Sequence, residues 1–287
     1  MPVSLGMWGF KSPLAHNTNR PCLRAGFGRF RDKRTLDLAN PVLLSYQTCM
    51  SEPVITTHVN VDGEQDTRSV AVITLDDGKA NALSRSMIAN VRSALTAAEA
   101  DSNCIAAVLT GRQGRFSAGF DLGVMQAGDM AAVTEMVADG GELVRHIYGA
   151  TIPVVAACNG HALAAGALML LGADVRVGAQ GPFKVGLNEV SIGMTLPEWA
   201  YTIARERLSK RHLQRSLVNA RLTDPAGAVD VGFLDRVVEP DHVVDAAIDE
   251  ARALAVLDAK AYARMMREFR GATLVQMANQ IAADRAA

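Results

Sequence analysis

Four short runs made almost wholly of apolar residues constrain this chain more than any other feature. They are RSVAVITL (68–75), IAAVLTG (105–111), IPVVAACNG (152–160) and DVRVGAQ (174–180), and turn residues and helical periods separate them. Strands read as continuous apolar runs when both faces are covered, as in parallel sheets joined by helical crossovers. Between them ANALSRSMIANVRSALTAAEA (80–100) reads as a capped helix, and HALAAGALMLLGAD (161–174) contains an apolar helix near 164–173. PFKVG (182–186) adds one more short strand. The layout is α/β. After Pro197 the strands fade into EWAYTIARERLS, KRHLQRSLVNA, DPAGAVDVGFL and a helical tail from Asp241. None sustains heptads, so their apolar faces are expected to pack on the core or on a second subunit.

Composition excludes several function classes. At 287 residues, 49% hydrophobic and 21% charged, the chain can bury a sizeable core. A net charge of −1 gives no electrostatic reason to expect nucleic acid or an anionic membrane as partner. No apolar run approaches the roughly 18 residues of a membrane helix. Cys22, Cys49, Cys104 and Cys158 lie far apart without CxxC spacing, so no metal site is expected and a reducing cytoplasm fits best. There is no GxGxxG, GxxxxGK[ST] or GxSxG signature, which argues against a nicotinamide enzyme, a phosphate-loop enzyme and a serine hydrolase.

Residues 1–49 differ from the rest. Lys11, Arg20, Arg24, Arg29, Arg31, Lys33 and Arg34 stand against Asp32 and Asp37, without a clear period. An organelle leader would be richer in Ser and freer of Pro and Gly. FKSP (10–13) matches the codons TTC-AAA-TCC-CC(N), which resemble the T-arm of a transfer-RNA gene. The expectation is a non-structural extension read from upstream DNA, with Met50 as the start, a core over 50–240 and a helical region over 241–287. The intact mass of protein made from its native locus tests this.

Chemistry is expected in the loops. TGRQGRFSAGFDL (110–122) crowds glycine and small residues into one turn, which is either a plain turn or a place where a ligand meets backbone N–H groups. At NGHALAAGALMLLGAD (159–174), Ala164, Ala165 and Gly166 open the apolar helix, whose first N–H groups form an anion site without a charged side chain. His161 stands alone and reads as structural. VGLNEVSIGMTLP (185–197) carries one carboxylate, Glu189, among apolar and small residues. Such a group is solvated, paired or used, and burial would raise its pKa.

Five segments in order resemble the crotonase superfamily, the enoyl-CoA hydratase/isomerase family: GKANALS (78–84), GRFSAGFDL (114–122), IPVVAACNGHALAAGALMLLGADVRVG (152–178), GLNEVSIGMTLP (186–197) and DPAGAVDVGFLDRVV (224–238). The resemblance implies a spiral of repeated ββα units with a C-terminal helical trimerisation region. It also implies an acyl-CoA substrate, no separate cofactor, and a homotrimer or homohexamer. It assigns the thioester oxygen to the backbone N–H groups of Phe120 and Ala165, and a catalytic carboxylate to Glu189. Coenzyme A would lie along Lys79, Ala80 and Ala82 and along Ser117, Ala118, Gly119, Asp121 and Leu122. Lys79 and Arg115 are candidate phosphate partners.

The resemblance also separates reactions. A hydratase of the family carries a second glutamate where this chain has Leu168, whereas the Δ3,Δ2-enoyl-CoA isomerases pair the GLNE form with leucine there. A single base can remove and return one proton, so the expectation is an isomerase of fatty acid degradation. The alternatives are a hydratase working with Glu189 alone or with a replacement such as Glu198 or Asp121, and a weakly active CoA-thioester-binding protein, since Ala164 and Ala165 replace the usual glycines. Thr195 lies near the position of a nucleophilic aspartate in dehalogenase-like members, which argues against covalent chemistry. Leu168, Gly166 and Leu187 are expected to line the pocket, Leu168, Leu187 and Val190 to wall Glu189, and a helix over 123–148, with a mobile GVMQAGDM, to border the acyl group.

Overall fold

The computed structural model describes residues 53–61 and 67–286, within a unit that runs from Met50 to Ala287. The expectation for residues 1–49 lies outside the described residues. In chain order the elements are β1 (Val54–Asn60), β2 (Ser69–Leu75), β3 (Ala82–Leu83), α1 (Arg85–Ala100), β4 (Cys104–Gly111), β5 (Gly114–Ser117) and β6 (Gly119–Phe120). Next come α2 (Leu122–Gln126), α3 (Met130–Tyr148), β7 (Val154–Cys158), β8 (Gly160–Leu163), α4 (Ala165–Gly172), β9 (Val175–Ala179) and β10 (Val185–Gly186). A 3-10 turn (Glu189–Ile192) precedes α5 (Glu198–Arg207), α6 (Leu213–Leu217), α7 (Pro225–Val231), β11 (Arg236–Val238), α8 (Val243–Leu254) and α9 (Ala259–Ala286).

The large sheet has the order β1-β2-β4-β7-β9-β11, parallel except for β1, which pairs antiparallel with β2 at one edge. The apolar runs form its centre because both faces are covered. Val70, Val72, Ala106, Val108, Val155 and Ala157 meet Val243, Ala247, Ile248 and Ala251 of α8. Ile73, Leu75, Ala107, Leu109, Val154 and Ala156 face the main core with α1, α3, α4 and α5. The alternation follows the two-residue period of a strand.

After β4, β7 and β9 the chain adds a second short strand, β5, β8 or β10, before the next helix. These second strands form a smaller parallel sheet in the order β10-β8-β5. The repeated unit is therefore ββα, as the resemblance implies. The chain does not pass straight from β7 into the apolar helix: Gly160–Leu163 is a strand of its own. PFKVG shrinks to the two residues of β10. The helix expected over 123–148 is broken into α2 and α3, because Gly128 takes a left-handed conformation and Asp129 starts a new helix by accepting the Ala132 N–H at 3.0 Å.

The tail folds onto its own chain. Met277 and Ile281 of α9 enter the main core, while Met265, Phe269 and Val275 stay exposed. Arg270 of α9 is buried, donates to the Tyr148 carbonyl and to Asp174 Oδ1 at 2.9 Å each, and sits 4.3 Å over the Tyr148 ring. The Tyr262 hydroxyl donates to the other Asp174 oxygen at 3.0 Å. Two adjacent glycines, Gly140 and Gly141, occupy the middle of α3, where each costs about 1 kcal/mol of helix propensity relative to Ala. At Gly141 the reason is packing, since an added Cβ would come within 2.9 Å of both the Trp199 ring and Ile281.

Among the described residues no helix is long and apolar enough to cross a membrane, and no group of three or more His, Cys, Asp or Glu is placed to hold a metal. Cys104 and Cys158 are buried free thiols, and Cys22 and Cys49 lie outside the described residues.

Candidate active site

The small sheet gathers the site. β5, β8 and β10 run parallel, with Ser117 beside Ala162 and Val185 beside Ala162 on the other side. Three loops leave adjacent carboxyl ends: Ala118–Phe120 after β5, Ala164–Ala165 after β8, and Leu187–Glu189 after β10. Ligands of parallel α/β sheets bind outside these carboxyl ends. The Ala164 N–H donates to the Gly186 carbonyl at 3.0 Å and ties the second loop to the third.

The first two loops touch. Gly119 has φ +90°, and a Cβ added there would lie 2.8 Å from the Ala164 methyl and 3.2 Å from the Ala165 nitrogen. Gly166 sits equally close to Ser117, whose carbonyl an added Cβ would meet at 2.5 Å. The N–H of Phe120 thus follows a glycine that lies against the first N–H of α4, that of Ala165. Ala164 precedes α4 with φ 51° and ψ −125°, a conformation costly for a residue with a Cβ, and offers no side-chain cap. Without a cap, the opening N–H groups of α4 have no partner from that side chain.

Glu189 begins the 3-10 turn. It is 9% exposed, and its Oε2 is buried without a hydrogen-bond partner. Desolvation pushes its carboxyl up to about 7, against the pull of the backbone N–H groups of Glu189 and Asn188. The turn is pinned by the Met194 N–H on the Glu189 carbonyl at 2.9 Å and by the Ser191 hydroxyl on the Asn188 carbonyl at 2.6 Å. Leu168 and Leu187 are both 1% exposed and belong to the main core. Val190 is not part of an apolar wall: it is 49% exposed, because one step along the 3-10 turn carries its side chain outward.

The segment 79–82 lies against the first loop. Ala82 and Leu83 pair with Gly119 and Phe120, and the Ala118 N–H donates to the Ala80 carbonyl at 3.0 Å. Ser117 is fully buried, and its hydroxyl donates to the Asn81 carbonyl at 2.7 Å. Asp121 accepts the Gly123 N–H at 2.7 Å as the cap of α2, while Lys79, Ala118, Leu122 and Arg115 are exposed. Of the two replacement acids, Asp121 is engaged as that cap and Glu198 is exposed in the first turn of α5. His161 accepts the Lys184 N–H on Nδ1 at 3.1 Å and meets the Phe183 ring edge-on.

Two residues that build this region escaped the sequence reading. Asn81, buried at φ 53°, donates to the carbonyls of Leu75, Arg115 and Phe116 and so joins the 79–82 segment to β2 and β5. Asp77 accepts the N–H groups of Lys79, Asn81 and Ala82. Burial works to raise the Asp77 carboxyl, but these three amides hold it below the usual carboxylate range. The available signal was Asp-Asp-Gly-Lys-Ala-Asn, in which side chains able to cap their own turn flank a glycine.

The site therefore sets a buried carboxylate and two adjoining loop amides at one end of a layered ββα fold. The model of the enoyl-CoA hydratase/isomerase family matches residues 65–287, and the chain belongs to that family. It is 34% identical to mouse mitochondrial enoyl-CoA delta isomerase 1 over 176 residues, spanning 61% of this chain and 61% of the mouse protein. It is also 34% identical to a putative enoyl-CoA hydratase of Thermus thermophilus over 197 residues, 65% of this chain and 73% of that protein. The structure of a family protein from Pseudomonas syringae superposes with a TM-score of 0.76 at 38% identity, covering 83% of this chain and 98% of that one. The chain spans about three fifths of the length of the mouse isomerase it matches.

Proposed function

We propose that the chain isomerises 3-enoyl-CoA to 2-enoyl-CoA with Glu189 as its single acid–base group. The observation that carries this reading is the pairing of an isolated, desolvated carboxylate with a buried leucine, Leu168, at the other position. Glu189 takes a proton from C2, and the electrons move into a dienolate whose oxygen accepts hydrogen bonds from the Phe120 and Ala165 amides. The Glu189 carboxylic acid then gives the proton to C4, leaving the double bond between C2 and C3. Preorganised N–H donors stabilise charge only as it develops, and losing one such donor typically costs about 10² to 10³ in rate. A carboxyl near pH 7 suits both halves of the transfer.

Water addition needs a second group to assist at the water, and the two candidate replacement acids, Asp121 and Glu198, are engaged as a helix cap and exposed to solvent, respectively. Coenzyme A lies along Lys79–Ala82 and Ser117–Leu122, with Lys79 and Arg115 near its phosphates. The exposed Met265, Phe269 and Val275 of α9 offer an apolar surface for self-association into trimers. The test is a side-by-side assay of trans-3-hexenoyl-CoA and crotonyl-CoA with residues 50–287 and the Glu189→Gln variant. The expected result is conversion of the first substrate, weak hydration of the second and no conversion by the variant. Strong hydration of crotonyl-CoA would overturn the reading.

A further inference from the structure

We propose that Gly140 is a positioning residue for the oxyanion site: its missing side chain is the seat of the Phe120 ring, and that seat fixes the Phe120 amide. The inference rests on the reading above for the role of that amide. A Cβ built at Gly140 would stand 2.4 Å from Phe120 Cε1 and 2.5 Å from Cζ, so the ring lies flush on the α3 backbone. No side chain larger than hydrogen fits there without moving the ring.

Phe120 is half-buried and packed on the main core, and its backbone is held on one side by the pairing of Leu83 with Phe120 in the β3–β6 ladder. On the other side Asp121 starts α2, with its N–H on the Leu83 carbonyl and its carboxylate on Gly123. Gly119, immediately before, is already in contact with the Ala164–Ala165 turn. Two residues, Phe120 and Asp121, therefore carry the chain from the oxyanion turn to a helix, and the ring resting on Gly140 ties this stretch to α3. A ring displaced by a new methyl group rotates the strand about Phe120 and carries the amide away from the thioester oxygen. A shift of about 1 Å at such a donor is enough to cost on the order of 10² in rate. The adjacent Gly141 serves a different contact, Trp199 and Ile281, and so separates packing of α3 from support of the site.

The experiment compares wild type, Gly140→Ala, Phe120→Leu, the double variant, and Gly271→Ala of α9, where an added Cβ has nothing within 4 Å. Two readouts are taken. One is kcat and KM on trans-3-hexenoyl-CoA. The other, independent of turnover, is the red shift of bound dimethylaminocinnamoyl-CoA, whose absorption follows the polarisation of its thioester carbonyl. Gly140→Ala lowers kcat at least about tenfold with KM nearly unchanged and shrinks the red shift, whereas Gly271→Ala alters neither. The shorter Leu side chain clears the new methyl, so the double variant returns to within about threefold of Phe120→Leu alone. A Gly140→Ala protein with wild-type kcat and red shift overturns the proposal, as does a double variant no better than Gly140→Ala. If wild type binds the chromophore with a red shift that Gly140→Ala abolishes but converts no 3-enoyl-CoA, the proposal stands and the isomerase reading fails.

Discussion

Replacing Glu189 by glutamine converts the catalytic assignment into a stability measurement. In the unfolded chain the carboxyl has its ordinary value near 4.5, and in the folded protein burial raises it to about 7. A shift of about 2.5 units at about 1.36 kcal/mol each amounts to roughly 3 kcal/mol. The sign follows from linkage. Below the unfolded value both states are protonated and the group is neutral to stability; as pH rises towards 7 only the unfolded chain ionises, and folding loses that free energy. Above about pH 8 the full loss is in place. Glutamine cannot ionise, so whatever fixed offset it brings by leaving its amide against the unpartnered Oε2 position is the same at every pH. The variant therefore gains about 3 kcal/mol on wild type between pH 4.5 and 8. For a domain of this size that is a relative rise of about 6 to 12 °C in Tm. Calorimetry at pH 4.5 and pH 8.5, at matched protein concentration, checks it. A difference between variant and wild type that is equal at both pH values would refute the reasoning that Glu189 is desolvated and unpaired.

Other parts of the structure are open to similar tests. Asn81→Ala removes the hydrogen bonds that join the 79–82 segment to β5 and leaves a Cβ at positive φ, and is expected to cost about 3 kcal/mol or more in guanidinium denaturation. Ala164→Gly relieves a backbone conformation worth about 1 to 3 kcal/mol, which outweighs the roughly 0.5 to 1 kcal/mol that glycine loses in chain entropy. Urea denaturation should show equal or greater stability, and a clear loss would contradict the strain. Arg270→Ala leaves Asp174 without its buried guanidinium and is expected to cost about 3 to 5 kcal/mol, with α9 the segment whose amide exchange accelerates first.

The elements readable in the sequence are those whose pattern one physical cause dominates. β2, β4, β7 and β9 are apolar throughout because helices cover both faces of the sheet, and α1 shows its Ser84 cap and its buried spacing of Met87, Ile88, Val91 and Leu95. The second strands β5 and β8 were hidden because GRFS and GHAL are short, begin with glycine and read as the turns that flank them. β1 was missed for the opposite reason: VITTHVN lies at the sheet edge with much of its length exposed, so it has no apolar run to betray it. Glu189 stood out because a carboxylate among apolar and small neighbours conflicts with its surroundings. The Phe120 and Ala165 amides could come only from the family resemblance, since a backbone N–H has no sequence signature of its own. Gly140 acts through a contact across 20 residues of chain, which no local pattern reports, and the turn at 76–81 signals Asn81's local bonds but not its reach to Phe116.

The central claim is that one buried carboxylate moves one proton from C2 to C4. The measurement that tests it most directly follows the label when 3-hexenoyl-CoA deuterated at C2 is converted in ordinary water. Because Glu189 Oε2 is shielded from solvent, the account predicts that a substantial share of the product carries deuterium at C4. Product with only solvent hydrogen at C4 would contradict a proton held on Glu189 and shielded from solvent between the two steps.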